Sequence, residues 1–471
     1  MRWAIRGIGL LSTILLARLL TPEDFGVVAM AMVAVALLEV FTHSGTDLAL
    51  LRSTDPTREH YDAAWTLEII QAVVLAIVLW FAAPLVGGHF EDERVTNVIR
   101  ILSLRALVGG FQNIGVVDFR RELRFGREFQ FGVVKKLATF LVTITAALVL
   151  HNYWALVIGQ VLGRVIEVIV SYRMSAFRPR FSFARIGDIW GFSKWLIVSR
   201  FARLLNRQFD RWVVGSIGGA TAMGHYYVAS DFGSSPSDEV VLPMSRAAFP
   251  VYSRLQGDPA ALVDAFRSVL GSMTAISFVM GIGMAVVADN FVRVVLGAQW
   301  LEAIPLIPWL GTFGALYGVV HTLDAFLLAT GRERLAALMT VASAILVIPA
   351  LWWGGKVGGV EGIAAAKALT ALAFVVALAV AATRRPPLTL AVLWQSVWPA
   401  LTATTIMAGA VMVLQRSYPA PSPLLGLVRD VCAGAIAYFC ATLLLWVLRG
   451  RPEGFERSVL RRFSRRPRDA P

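Results

Sequence analysis

The chain has 471 residues, 57% of them hydrophobic and only 16% charged, and its mean hydropathy is +0.66. A soluble protein carries about 25% charged residues and could not cover this much apolar side chain with polar surface, so a cytosolic enzyme, a secreted domain and a disordered scaffold are excluded. The net charge of +13 would suggest nucleic acid in a soluble chain; in an apolar one it reads as basic excess in cytoplasmic loops, with no nucleic-acid partner.

A spanning helix needs about 20 mostly apolar residues. In chain order this rule predicts spans at 3–20, 26–50, 62–86, 97–118, 129–150, 153–175, 189–216 and 221–250. A second series follows at 266–288, 302–329, 335–353, 361–382, 393–414 and 424–448, which makes about fourteen transmembrane helices in an all-α polytopic membrane protein. The first apolar run follows Arg2 and Arg6 and is closed by Arg18 without a cleavage site, so it is a membrane helix and not a signal peptide. Its abrupt start raises the expectation of an upstream start codon. Cys432 and Cys440 lie eight residues apart in one span, about 12 Å along a helix, too far for a disulfide.

The basic residues test the span count independently. With the N-terminus inside, cytoplasmic connections and the tail hold 27 Lys and Arg, including Arg120, Arg121, Arg124 and Arg127 after span 4 and eight arginines from Arg449 onward. The opposite side holds only Arg94, Arg293, Lys356 and Arg416. One missed span would scramble this alternation, so both termini are expected in the cytoplasm. The outside connections expected are short: 20–25, 91–93, 352–361 and the proline-rich turn at Pro419, Pro421 and Pro423. The tail at 455–463 reads either as a basic surface helix or as a solvated coil.

Shifting the sequence by 198 places Leu15-Leu16-Ala17 on Val213-Val214-Gly215 and Gly26 on Gly224. Spans 1–2 thus match spans 7–8 after six crossings, the signature of two parallel six-helix lobes. The expected domains are an N-lobe at 1–180, a C-lobe at 181–385, two further spans at 386–449 and a basic tail at 450–471.

Charges inside a membrane are expensive and mark candidate sites. Span 7 carries Arg200, Arg203, Asn206, Arg207, Asp210 and Arg211. At about 100° per residue the four arginines fall within an arc of about 80°, so they share one face. Such a stripe should border a wet cavity, with Asp210 partly compensating, and suits a phosphate ligand because each guanidinium fork binds two oxygens. The plainer alternative is a basic loop whose Arg200 and Arg203 snorkel. Glu39, Asp47, Glu68, Asp231 and Asp324 are the candidates for proton or sodium coupling; the plainer reading makes them salt-bridge partners of arginines, as Arg164 and Glu167 are by their i, i+3 spacing. The sequence contains no P-loop, HExxH, GxSxG setting or metal-ligand cluster, so neither an enzyme nor a cofactor is expected.

Several stretches resemble the polysaccharide-exporter (Wzx-type) branch of the multidrug/oligosaccharidyl-lipid/polysaccharide flippase superfamily. They are ILLARLLTPEDFGVVAMAMV (14–33), FRRELRFGREFQ (119–130), NYWALVIGQVLG (152–163), FSKWLIVSRFARLLNRQFDRWVVGSIGG (192–219), FPVYSRLQGDPAALVDAFR (249–267) and FVRVVLGAQWLEAIPLIPWL (291–310). The resemblance implies a flippase of isoprenoid-pyrophosphate-linked oligosaccharides in a bacterial inner membrane, working by alternating access in polysaccharide biosynthesis. Its partners would be the lipid-linked oligosaccharide, membrane lipids and a polysaccharide polymerase or export machinery. A cation-coupled multidrug exporter of the same superfamily should prefer carboxylates to four arginines in its cavity. A membrane polysaccharide polymerase or ligase would need a large outside loop, and none is predicted.

Overall fold

The first two helices, α1 (Arg2–Leu19) and α2 (Pro22–Thr42), are separated by only two residues because Thr21 caps α2. The Thr21 N–H and hydroxyl donate to Asp24 Oδ2 (3.0 and 2.7 Å), and the Asp24 N–H donates back to Thr21 Oγ1 (3.2 Å). With Pro22 as the first helical residue, this reciprocal cap starts α2 ahead of the expected 26 and absorbs most of the expected 20–25 connection. The structure, a computed structural model, describes residues 2–42, 46, 50–51, 56–184 and 186–450, with side chains described throughout these except at 2–4, 41–42, 186–203, 205–207 and 238.

The remaining helices are α3 (Arg58–His89), α4 (Glu93–Gly110), α5 (Phe125–Leu150), α6 (Trp154–Met174), α7 (Ile186–Gly233), α8 (Ser235–Arg254) and α9 (Pro259–Phe291). They continue with α10 (Leu306–Ala329), α11 (Glu333–Thr383), α12 (Leu390–Ser417) and α13 (Pro423–Leu448). A straight α11 of 51 residues would be about 75 Å long, more than twice a hydrocarbon core, so it must serve as two spans. It breaks at Gly358–Gly359, and α7 breaks at Gly219. The connection expected over 352–361 therefore shrinks to a glycine pair inside otherwise helical chain. Opening α7 and α11 at these breaks, and following 220–254 as one path interrupted at Ser234, gives fourteen helical paths among the described residues. Eight of the helices are long and apolar enough to cross a membrane by length and composition alone.

One span ends far from its expected limit. α4 stops at Gly110, not at 118, because the Asn113 side chain accepts from the Gly115 N–H (2.9 Å) and donates to the Phe177 carbonyl (2.7 Å). These bonds turn 111–117 into a corner that leads to a one-turn helix at Asp118–Arg121. A side-chain cap of this kind is invisible to hydropathy.

The chain folds as two compact units, Met1–Tyr227 and Val228–Pro471. In the first unit, the arginine-bearing connections meet on one face: Arg58 donates to the Arg178 carbonyl (3.0 Å), the Tyr61 hydroxyl to Asp118 (2.5 Å) and the Arg180 N–H to Asp62 (2.8 Å). Its other face is tied by Arg94, which pairs with Glu23 (2.7 Å) and Asp92 (2.8 Å), and by the Tyr153 N–H donating to Asp24 (2.8 Å). In the second unit, Arg332 donates to the carbonyls of Ala382 (3.0 Å) and Pro386 (2.7 Å), while the Gln256 amide bonds the Ala329 carbonyl. Burial and the neighbouring Arg385 together lower the proton affinity of the Arg332 guanidinium. Tyr252, Phe266 and Phe326 pack just inside that face, with ring centroids 4.9–6.2 Å apart. Each unit thus gathers its basic connections at one end, as the alternation of charge requires. The outward sides of the helices carry exposed apolar residues such as Phe81 and Leu85, which only lipid can cover.

Candidate functional site

The helix with the basic stripe is continuous from Ile186 to residue 218, so the register that puts Arg200, Arg203, Arg207 and Arg211 on one face applies to the folded backbone. The side chains of Arg200, Arg203, Asn206 and Arg207 lie outside the described residues. Asp210 and Arg211 are described, and each meets a tyrosine of the same helix after its break. Gly219, at φ +70°, lets the chain reverse in a conformation that a side chain would strain. On the returning stretch, the Tyr226 hydroxyl donates to Asp210 Oδ2 at 2.6 Å, and both residues are buried. The next pair along does the same work with a cation: the Arg211 guanidinium lies 5.3 Å from the centre of the Tyr227 ring. Arg211 Nη1 also donates to Gln208 Oε1 (3.1 Å). The next residue, Trp212, stacks on His89 of α3 (4.8 Å), and His89 hydrogen-bonds Ser216, one turn further along α7 (2.8 Å). The stretch around Asp210 and Arg211 is therefore held against both its own return and the end of α3.

The same region gives the sequence repeat a physical form. A Cβ at Gly26 would sit 1.6 Å from the Ala220 carbonyl oxygen, and one at Gly224 would sit 1.8 Å from the Pro22 carbonyl oxygen. Gly26 with Gly224, and Pro22 with Ala220, are the pairs related by the 198-residue shift. Residue i packs on the copy of j while j packs on the copy of i, which is the contact pattern of a local two-fold axis. Glycine is required at both positions because backbone approaches backbone.

Two of the carboxylates proposed for coupling share one space. Glu39 and Glu68, with Arg105 and Arg164, line a cavity of about 210 Å³ formed by α2, α3, α4, α6 and the 111–117 corner. Arg105 pairs with Glu39 at 2.6 Å, and Glu68 accepts from the Thr46 hydroxyl at 2.5 Å. Arg164 pairs with Glu167 at 2.7 Å, and Lys135 reaches the same carboxylate at 3.0 Å, so the i, i+3 pair read from the sequence forms in the fold. Asp47 lies outside the described residues. Asp231, on the return of α7, and Asp324, on α10, are half-buried in the second unit.

Sequence reasoning missed Tyr226 and Tyr227, which hold Asp210 and Arg211 from sixteen residues away; the signal available was the glycine turn between them. It also missed Asp62 and Thr66, whose side chains accept from the N–H groups of Arg180 (2.8 Å) and Ser182 (2.9 Å). With the Tyr61–Phe177 and Trp65–Phe181 ring contacts, these bonds dock the segment leading into α7 along the start of α3.

The chain is similar to known proteins in sequence and in fold. A family profile described as "Polysaccharide biosynthesis protein" matches residues 15–305. The lipopolysaccharide biosynthesis protein WzxC of Escherichia coli K12 is 24% identical over 367 residues, covering 76% of this chain and 74% of that one. The succinoglycan biosynthesis transport protein ExoT of Rhizobium meliloti is 23% identical over 475 aligned positions, 99% of this chain and 94% of that one. Among solved structures, the lipid II flippase MurJ in an inward closed conformation superposes with a TM-score of 0.78 at 14% identity, covering 94% of this chain and 97% of that one. An inward-facing multidrug transporter of the MATE family reaches 0.59 at 15% identity, over 79% and 93% of the two chains. At such identities the structural likeness concerns the fold.

Proposed function

The chain belongs to the polysaccharide biosynthesis protein family, and from that premise we propose that it is a flippase for an isoprenoid-pyrophosphate-linked oligosaccharide. It moves this polysaccharide repeat unit from the cytoplasmic to the periplasmic leaflet of a bacterial inner membrane, with both termini in the cytoplasm. The basic face of α7 carries this reading. A pyrophosphate brings several negative charges into a low-dielectric space, and guanidinium forks both neutralise them and bond their oxygens in pairs. Arg200, Arg203, Arg207 and Arg211 are the headgroup contacts in this scheme, with Asn206 and Asp210 positioning them. The bond from Tyr226 to Asp210 supports that positioning role, since it locks the height of Arg211 relative to the returning helix.

Transport proceeds by rocking of the lobes at 1–180 and 181–385, with 386–449 outside the moving pair. The space between Glu39 and Glu68 is the proposed place for a coupling proton or sodium ion, because a cation there would compete with Arg105 for Glu39. Asp47, Asp231 and Asp324 remain secondary candidates for the same task. The chain acts as a transporter and hands its cargo to a polymerase or export machinery. An organic-cation exporter of the same fold is disfavoured by the sign of the α7 face.

The test is flipping of a defined lipid-linked oligosaccharide by the protein in liposomes, with and without ion gradients. Wild type should flip it, and the Arg207→Ala/Arg211→Ala double variant should lose most of the rate while inserting and folding normally. Undiminished flipping by that variant would sink the headgroup site, and no flipping by wild type under any gradient would sink the function.

A further inference from the structure

The second unit contains a groove of about 650 Å³ between α9, α12 and α13, within the size range of small-molecule sites. Its polarity changes along its length. Asp264, Arg267 and Arg449 stand at the mouth, on the face where the basic connections gather, and the walls continue inward to Val279 on α9 and Tyr438 on α13. From Arg267 to Val279 is about 18 Å of helix, close to the thickness of one leaflet's hydrocarbon. Tyr438 closes the back of the groove by donating to the Ala275 carbonyl across it (2.7 Å). The groove therefore has the length and the end-to-end polarity of a single lipid.

Among the described residues, the mouth carries more positive charge than is neutralised there. Arg267 Nη1 reaches Asp264 at 3.3 Å, and that carboxylate is mostly exposed, while the buried Arg267 Nε has no hydrogen-bond partner among the described residues. Arg449 donates to the neutral Gln395 carbonyl (3.3 Å) and lies 5.5 Å from the Trp398 ring centre. Two guanidiniums held by one exposed acid and by neutral groups are set for an anion.

We propose that this groove binds one anionic phospholipid of the leaflet at the basic face. Its phosphate sits between Arg267 and Arg449, and one acyl chain runs along α9 and α13 toward Tyr438. The lipid fastens the two C-terminal helices to α9.

The experiment is native mass spectrometry of the full-length protein released from detergent, together with its melting midpoint after added lipid. The probes are phosphatidylglycerol, phosphatidylcholine, undecaprenyl phosphate and inorganic phosphate. Wild type should retain one phosphatidylglycerol in preference to phosphatidylcholine and melt several degrees higher with it. Arg267→Gln/Arg449→Gln should lower that retention on the order of tenfold, and Arg267→Lys/Arg449→Lys should restore most of it. Gly271→Leu, whose Cβ would meet the Ser396 carbonyl at 3.7 Å without a clash, should fill the groove and reduce retention with the charges intact. This variant and the lysine pair decide the matter if the glutamine pair fails to fold. Equal retention of phosphatidylcholine overturns the proposal, as does full protection by inorganic phosphate alone. Displacement of phosphatidylglycerol by a matching amount of undecaprenyl phosphate also overturns it, by making the groove a cargo site.

Discussion

The two hollows of the molecule differ in how they treat charge. The cavity of the first unit holds two guanidiniums and two carboxylates, with Arg105 and Glu39 in contact and Arg164 turned onto Glu167. The groove of the second unit sets two guanidiniums against one exposed carboxylate. A balanced space costs little to keep empty and can exchange one cation for another. An unbalanced one demands a counter-charge from outside the chain. Arginines in a membrane protein thus have separate uses, and the partner, more than the arginine, tells them apart.

The difference can be broken in order of expected effect. Asp430, fully buried near the far end of α13, takes bonds from Arg429, Asn290 (2.9 Å) and Gln415 (2.8 Å), so the second unit does balance its charge away from the groove. Asp430→Ala should cost about 4 kcal/mol, the loss typical of a broken buried pair, in denaturant unfolding from mixed micelles. Glu39→Gln should cost about 2 kcal/mol in the same measurement. Adding Arg105→Gln should recover about half of that, since the coupling belongs to the pair. Tyr226→Phe leaves Asp210 without its hydroxyl donor and should cost about 1.5 kcal/mol, with a larger proportional loss in flipping rate than in stability. Arg267→Gln should change unfolding by less than about 0.5 kcal/mol in detergent, because its present partner is exposed. A large loss there would mean that the groove is balanced in a way its geometry does not suggest.

Much of the fold is legible in the amino-acid sequence. Each spanning helix satisfies its own backbone, so length and apolarity locate it, and the arginines sort the connections. Misreadings came where a side chain overrode hydropathy: Thr21 and Pro22 advance α2, and Asn113 ends α4 early. The candidate site was legible only where partners are local. Arg164 and Glu167 are one turn apart and were paired correctly. Glu39 and Arg105 are 66 residues apart, and nothing in either segment announces the other. The repeat was visible as Gly26 over Gly224, yet its reciprocal packing on Pro22 and Ala220 belongs to the folded chain.

The apolar solvent, the helical class and the arginine register on α7 follow from the amino-acid sequence alone, because transfer energies and the helical period act residue by residue. Tertiary structure decided which charges are neutralised and which are left facing a hollow. That depends on which helices lie side by side, and side-by-side packing joins positions that no local rule connects.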